Sequence, residues 1–319
     1  MTHARSDAPT RPLRLGTRRS PLAMVQAEEA RARLCAAHGW DEAMVELVPV
    51  TASGDKVQDR PLADIGGKAL WTKELDVWLH TGEIDFAVHS MKDVETVRPQ
   101  DFAIAAVLPR ADVRDVLVGA ASLAAIPQGA RVGTSAPRRA AQMLHARPDV
   151  TVVGIRGNVA TRLGKLEAGE ADVTLLAAAG LQRLGEAGIG QPLDANAWLP
   201  APAQGAIGIE CLAARTDLCG WLGAIDDAPT HHAIRAERAL LLALGGNCHS
   251  PIAVLTSHAT GQDAGALTLR AAIFSPDGTE RTEASASFAP GDATGPARLA
   301  RSLLDAAPAA TRRHFSGAP

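Results

Sequence analysis

Six arginines of this chain lie where a short apolar strand is predicted to give way to a helix, and they are well suited to binding anions. The six are Arg18 and Arg19, Arg138 and Arg139, and Arg156 with Arg162. A guanidinium pairs bidentately with a carboxylate or a phosphate, and a helix N-terminus adds free N–H donors and the favourable end of the helix dipole. Three such turns in one chain predict a ligand that carries several negative charges.

The composition favours the same class of ligand. The 32 basic residues comprise 27 Arg and 5 Lys, yet the formal net charge of the chain is only −3. A nucleic-acid-binding protein is more usually basic overall, so we expect no nucleic acid partner and favour a small polycarboxylate or phosphate ligand. A GC-rich codon bias is an alternative explanation for the number of arginines, but it does not explain their placement.

The length of 319 residues is too great for a single hydrophobic core and predicts two or three domains. The N-terminus carries no apolar segment of the kind that directs export, and no stretch approaches 18 uninterrupted apolar residues. We therefore expect a cytoplasmic protein with no membrane partner. The four cysteines show neither C-x-x-C spacing nor a nearby histidine pair, so neither a disulfide framework nor a metal site is supported.

Apolar runs alternate with helical patterns in the first two thirds of the sequence, which is typical of α/β domains built around a largely parallel sheet. The predicted strands are 13–17, 45–51, 86–89, 103–107, 116–118, 131–134, 150–155 and 173–178, and the predicted helices are 23–37, 71–80, one from 138, and 159–168. After a helix at 231–244, strands at 252–255, 267–273 and 284–288 and a helix at 297–306 predict a small α+β domain.

Residues 16–21 and 133–139 share a short pattern that runs from a strand through Gly-Thr to Ser, Pro and Arg and into a helix. This short internal repeat predicts two similar α/β lobes facing one cleft. A chance similarity between two anion-binding turns is the alternative.

Asp93 follows directly after the apolar strand at 86–89, where an α/β protein places its working residues. A carboxylate there can accept N–H hydrogen bonds, stabilise a cation, or act as a general acid or base. The alternative is an Asp that only caps the next element.

Cys248 lies between a predicted helix and a predicted strand, in the Gly-rich loop at 245–251. A thiol in such a loop is available for covalent chemistry, whereas Cys35 and Cys211 lie in apolar runs that predict inert packing. An incidental loop cysteine is the alternative.

The chain resembles the porphobilinogen deaminases, also called hydroxymethylbilane synthases, from about residue 13 to residue 254. The resemblance rests on six motifs in the same order: 16–23 (GTRRSPLA), 66–68 (GGK), 87–93 (AVHSMKD), 156–162 (RGNVATR), 199–206 (LPAPAQGA) and the loop around Cys248. It implies a monomeric transferase of tetrapyrrole biosynthesis with two α/β domains like those of periplasmic binding proteins and a small α+β domain. The implied boundaries are 11–109 with 205–224, 112–200, and 228–319.

The family's activity is the stepwise condensation of four porphobilinogen molecules, each with loss of ammonia, followed by hydrolytic release of hydroxymethylbilane. The growing polypyrrole is built on a dipyrromethane cofactor, which the resemblance attaches covalently to Cys248. Each pyrrole carries an acetate and a propionate, which fits the arginines at the helix starts. Asp93 fits the carboxylate that stabilises the cationic azafulvene left by ammonia loss.

The resemblance assigns the other site residues to two groups. Those expected to hold the cofactor, together with Cys248 and Asp93, are Lys92, Ser20, Arg138 and Arg139. Those expected to hold porphobilinogen or the growing chain are Arg18, Arg156, Arg162, Arg183, Gln204 and Lys68. Trp71 falls with Lys68 in the segment that resembles the family's flap.

Four positions depart from the family pattern: Asp64, Ala136, Ala203 and Arg19, where a basic residue, Ser, Gly and Gln respectively are common. None of them affects Asp93 or Cys248. The main alternative function is a two-lobed, non-catalytic polycarboxylate-binding protein, and a degenerate deaminase that retains only the fold is a second. The third domain, Cys248 and the lack of an export signal argue against the binding protein, and the intact core motifs argue against a degenerate deaminase.

Overall fold

The computed structural model describes residues 8–50, 72–247, 249–258 and 265–315. They form two compact units. The first contains the described residues up to Arg110 together with Ala206–His231, and the second contains Ala111–Gly205 and the described residues from His232 onward. Asp64, Lys68, Trp71 and Cys248 lie outside the described residues.

The strands, in chain order, are β1 (Leu13–Arg18), β2 (Val45–Val50), β3 (Phe86–Ser90), β4 (Phe102–Val107), β5 (Asp115–Val118), β6 (Arg131–Gly133), β7 (Thr151–Val153), β8 (Val173–Ala177), β9 (Gln191–Pro192), β10 (Ile207–Leu212), β11 (Ile252–His258), β12 (Leu267–Phe274) and β13 (Arg281–Phe288). The helices are α1 (Pro21–His38), α2 (Lys73–Thr81), α3 (Pro137–Ala146), α4 (Val159–Glu167), α5 (Ala178–Arg183), α6 (Thr216–Gly223), α7 (Ala228–Ala243), α8 (Gly295–Ala306) and α9 (Ala309–Arg312). Within the described residues, no helix is both long and apolar enough to cross a membrane.

The sheet of the first unit has the strand order β2-β1-β3-β10-β4. Strand β1 pairs in parallel with β2 and β3, whereas β10 is antiparallel to both of its neighbours. Four of the five strands therefore run in the same direction, which confirms the prediction of a largely parallel sheet, and the exception, β10, was not predicted as a strand. Its apolar side chains Ile207, Ile209 and Cys211 are buried in the same core as Leu15 of β1 and Phe86 of β3.

The five-stranded sheet of the second unit repeats this arrangement, with the order β7-β6-β8-β5-β9. Here β6 is parallel to β7 and β8, and β5 is antiparallel to β8 and β9. Gly16 of β1 and Gly133 of β6 occupy equivalent places, because a Cβ on either would lie 2.3 Å from an isoleucine Cδ1 behind the sheet. The similar patterns at 16–21 and 133–139 thus mark equivalent strands, β1 and β6, of two similar sheets.

A third sheet, β11-β12-β13, is antiparallel throughout and packs with α8 around a separate core. The three sheets confirm the predicted fold class of two α/β domains and a small α+β domain. The three domain boundaries stay a prediction.

The turn between β12 and β13 packs on α3 within the second unit. Gly278 has a left-handed backbone (φ 73°), and a Cβ there would lie 2.6 Å from the carbonyl oxygen of Ala141 and 2.7 Å from the nitrogen of His145. The His145 ring nitrogen Nδ1 lies 3.0 Å from the Gly278 carbonyl oxygen. Only glycine fits, because both the conformation and the space exclude a side chain.

We expect Gly278→Ala to lower the free energy of unfolding by about 1–3 kcal/mol more than Gly129→Ala, because overpacking adds to backbone strain. Gly129 is the matched control, since it has the same φ of 73° and a Cβ there meets nothing within 4 Å. Urea unfolding of the two variants beside the wild type measures the difference. Equal losses would mean that the β12–β13 turn does not need close contact with α3.

Candidate functional site

A pocket of the first unit opens at the C-terminal ends of β1 and β3. It is lined by Arg18, Gln26, Thr72, His89, Ser90 and Asp93, among others. Arg18 is the last residue of β1, and Asp93 ends the short 3-10 turn Met91–Asp93 that follows β3. The sequence-predicted carboxylate and one predicted arginine therefore share this pocket.

The turn that carries Asp93 is oriented by the buried side chain of Met91. The backbone nitrogen of Met91 donates to the Ala206 carbonyl oxygen at 3.1 Å, and its side chain fills the space left by Gly208 on β10, where a Cβ would lie 2.0 Å from the sulfur. Met91 is 1% exposed, whereas Lys92 and Asp93 are half-buried. Burial of Met91 thus leaves the two polar residues that follow it at the surface of the turn.

Ser20 and Ser90 lie at the ends of the two neighbouring strands. The hydroxyl of Ser90 is hydrogen bonded to the Gln26 amide at 2.9–3.0 Å. Ser20 precedes α1, whose first residue is Pro21, and its carbonyl oxygen accepts from the nitrogen of Met24 at 3.0 Å. Within the described residues the Ser20 hydroxyl makes no capping hydrogen bond, so the helix does not use it.

In the second unit, three of the predicted site residues converge on one acid that sequence reasoning missed. Asp115, the first residue of β5, accepts from Arg138 at 2.8 Å, Arg139 at 2.7 Å, Gln204 at 2.9 Å and the indole nitrogen of Trp198 at 2.9 Å. It has no exposed surface, and both arginines are 5% exposed. The only sequence signal was an Asp directly before an apolar strand.

The cluster around Asp115 carries more positive than negative charge. Burial alone would raise the pKa of Asp115, but Arg138 and Arg139 hold it well below its usual range. Burial and the neighbouring Arg139 lower the pKa of Arg138, against the opposing effect of Asp115. Two buried guanidiniums face a single carboxylate, and the buried Nε of Arg139 has no hydrogen-bond partner within the described residues. A carboxylate of a ligand fits such a cluster, because it would compensate the excess charge.

The remaining predicted arginines of the second unit lie at loop and helix ends, and all are half-buried. Arg156 and Arg162 flank the start of α4, where Asn158 accepts a capping bond from the nitrogen of Thr161 at 2.9 Å, and the Nε of Arg162 donates to the Gly157 carbonyl oxygen at 2.9 Å. Arg183 ends α5 and donates to the carbonyl oxygen of Gly205 at 3.2 Å. Gly205 is the residue that follows Gln204 in the sequence.

Two departures from the family pattern have visible consequences. Ala203 has a left-handed backbone (φ 59°), which explains why glycine is usual there. Its N–H donates to the buried carboxylate of Glu237, which stabilises the unusual turn. Ala136 precedes α3 without a side-chain cap, but Thr134 Oγ1 accepts its N–H at 3.1 Å. The turn before Arg138 is therefore held without a serine at position 136.

The cysteine predictions are partly tested. Cys35 and Cys211 are buried free thiols, as expected for inert packing, and Cys219 lies with its sulfur 3.4 Å from that of Cys211. For Cys248 only the neighbours are described: α7 ends at Ala243 and β11 begins at Ile252, so the predicted order of helix, loop and strand holds.

Known proteins match this chain along most of its length. The sequence model of the family described as "Porphobilinogen deaminase, dipyromethane cofactor binding domain" matches residues 13–219, and that of "Porphobilinogen deaminase, C-terminal domain" matches residues 231–305. The porphobilinogen deaminase of Sphingopyxis alaskensis is 55% identical over 97% of this chain and 98% of its own length. The chloroplastic porphobilinogen deaminase of Oryza sativa is 45% identical over 88% of this chain and 79% of its own length.

Among solved structures, the periplasmic VFT2 domain of Bordetella pertussis BvgS is similar with a TM-score of 0.37 and 16% identity, over 72% of this chain and 90% of that domain.

The structure defines a protein with two α/β domains and a small α+β domain, with a carboxylate at a strand end in the first unit and buried arginines at a helix start in the second. The chain belongs to the porphobilinogen deaminase family. The predicted activity, a transferase acting on porphobilinogen in tetrapyrrole biosynthesis, is confirmed over the alternative of a non-catalytic binding protein. Dipyrromethane is confirmed as the cofactor, while its attachment through Cys248 stays a prediction.

We expect Asp115→Asn to lower the free energy of unfolding by about 3–5 kcal/mol at neutral pH, because it leaves two buried guanidiniums without a counter-ion. Pairing keeps the folded-state pKa of Asp115 below its unfolded value of about 3.9. The wild type therefore retains this contribution above about pH 4 and loses it as the pH falls further. Urea unfolding from pH 7 to pH 3 should show the difference between the two proteins shrinking in acid.

Asp112→Asn is the matched control. Asp112 pairs at 2.6 Å with the half-exposed Arg114 in the same segment of chain. Loss of an exposed pair is worth less than about 1 kcal/mol. Equal losses in the two variants would contradict a special role for Asp115.

Proposed function

We propose that Asp93 is the carboxylate that drives the loss of ammonia from porphobilinogen. The observation that carries the proposal is its position in the turn after β3, in the pocket that it shares with Arg18. Departure of ammonia leaves a cationic azafulvene, which a half-buried carboxylate stabilises while it accepts the pyrrole N–H. Arg18 would hold a carboxylate of the incoming pyrrole, which orients the reacting carbon.

The arginine cluster of the second unit is proposed to hold the cofactor. Arg138 and Arg139 would bind a carboxylate of dipyrromethane with the charge that Asp115 leaves uncompensated, and Lys92, Ser20 and Asp93 would complete the set. When bound, dipyrromethane would supply the free pyrrole position to which the first porphobilinogen is joined, and each later unit would join the end of the lengthening chain. Arg156, Arg162, Arg183, Gln204 and Lys68 are proposed to hold the acetate and propionate groups of the lengthening chain.

The proposed domains are 11–109 with 205–224, 112–200, and 228–319. Three separate sheets, each with a buried core, support this division. By resemblance to the family we also propose a cytoplasmic monomer that binds neither nucleic acid nor membrane. Light scattering on the purified protein tests the oligomeric state.

We expect Asp93→Ala to fold normally and to lose nearly all turnover. Asp93→Glu keeps the charge but misplaces it, and a misplacement of about 1 Å can cost on the order of a hundredfold in rate. Turnover is measured as porphobilinogen consumption by holoenzyme, with cofactor content verified by mass for each variant. Asp101→Ala, on an exposed turn before β4, is the control, and near-wild-type turnover by Asp93→Ala would refute the assignment.

We expect the intact mass of the purified wild type to exceed the mass of its polypeptide by two linked pyrrole units, and the Cys248→Ala variant to lack this increment. Peptide mapping then locates the adduct, and Cys219→Ala, which should retain it, is the control. An adduct that persists in Cys248→Ala would contradict attachment there. A wild type that stays unmodified after incubation with porphobilinogen would contradict covalent attachment altogether.

A further inference from the structure

A network of buried and half-buried charged groups adjoins the Asp93 pocket in the first unit. At its centre, Arg98 binds Glu210 bidentately, with Nε at 2.9 Å from one carboxylate oxygen and Nη2 at 2.8 Å from the other. The same guanidinium binds Asp76 at 2.6 Å and Glu95 at 2.9 Å. Asp76 belongs to α2, Glu95 follows the turn that carries Asp93, and Glu210 lies on β10, so a single guanidinium joins three elements around the pocket.

This network of charged groups is hydrogen bonded to two residues that line the pocket. Glu210 binds the Nε2 of His89 at 3.1 Å, and Thr72 Oγ1 donates to Glu95. His89 and Thr72 both line the pocket with Asp93. The groups that shape two sides of the pocket are thus linked through Arg98 and Glu210.

The register of the strands explains why Glu210 can reach His89. His89 of β3 lies opposite Gly208 of β10, and Glu210 is two residues further along the same face. A diagonal neighbour of this kind is within reach of a long side chain. Gly208 has no side chain, and the space that a Cβ there would take is filled by Met91, the residue that orients the Asp93 turn.

The arrangement is expensive to bury, which is why it needs a functional explanation. Glu210 is 0% exposed, and the side chain of Arg98 is 9% exposed. Burial would raise the pKa of Glu210, but His89 and Arg98 lower it below its usual range. Burial raises the pKa of Asp76 despite its contact with Arg98. An apolar core of the same volume would often be at least as stable, so buried ion pairs of this kind are weak evidence for a purely stabilising role.

We propose that Glu210, held bidentately by Arg98, is a positioning residue for the reaction at Asp93. It fixes the His89 ring and, through Arg98 and Glu95, both sides of the turn Met91–Asp93. This inference rests on the proposed function of Asp93, and it adds a residue that acts through its neighbours without touching the reacting atoms.

The test is Glu210→Gln in the holoenzyme, since the amide keeps the shape of the side chain and removes its charge. We expect kcat for porphobilinogen to fall roughly tenfold to a hundredfold with KM within about twofold of the wild type, because displacement of the carboxylate slows chemistry more than binding. Cofactor occupancy, measured by intact mass, should be unchanged. A double variant with His89→Gln should lose little more than Glu210→Gln alone, because the two residues act as one unit.

Asp85→Asn is the matched control. Asp85 is also a buried carboxylate of the first unit, bound bidentately by Arg11 at 2.6 and 2.8 Å, but it precedes β3 at the end of the strand away from Asp93. It should lower thermal stability without lowering kcat. If Glu210→Gln keeps kcat within twofold of the wild type, or if Asp85→Asn with the same loss of stability lowers kcat equally, the positioning role is wrong.

Arg98→Lys decides the question if Glu210→Gln does not fold, because it keeps the charge and removes the bidentate fork. A fall in kcat of about tenfold with unchanged KM supports the proposal, and kcat within twofold overturns it. A failure of the proposed function is distinguishable, since Asp93→Ala would then retain the turnover of the wild type.

Discussion

Each unit of this protein has, beside its candidate site, a carboxylate with no exposed surface, and arginines, together with His89 in the first unit, favour the charged form of that carboxylate. Asp115 in the second unit binds Arg138 and Arg139, and Glu210 in the first unit binds Arg98. An unpaired buried charge costs several kcal/mol, so the geometry around each carboxylate is strongly restricted. The positions of the strand ends near each carboxylate are restricted in the same way.

The two buried carboxylates lie on corresponding parts of two similar sheets. Asp115 begins β5 and Glu210 lies on β10, and these are the antiparallel strands that occupy the fourth place in each five-stranded order. The parallel strands β1 and β3 of the first sheet and β6 of the second lead into the turns with Arg18, Asp93 and Arg138. In both sheets, one antiparallel strand thus carries a buried carboxylate into the unit that holds candidate site residues at its strand ends.

The sequence predicted strands, turns and helices correctly where the signal comes from residues close together in the chain. Gly-Thr followed by Ser, Pro and Arg predicted a strand, a turn and a helix at both 16–21 and 133–139, because Pro at the first helical position and an apolar strand before it are short-range signals. The polar turn after the strand at 86–89 likewise marked Asp93. Strand β10 escaped prediction because its partners β3 and β4 lie more than 100 residues earlier in the chain.

The sequence by itself determined the family, the order of the elements and most of the candidate site residues, since each of these depends on residue types at short spacing. Only the tertiary structure decided that Arg138, Arg139 and Gln204 meet on Asp115, and that Arg98 joins Asp76, Glu95 and Glu210. Such contacts join residues up to 112 positions apart, as between Arg98 and Glu210. Charge pairing at that separation is set by strand order and register, for which a single sequence carries no local pattern.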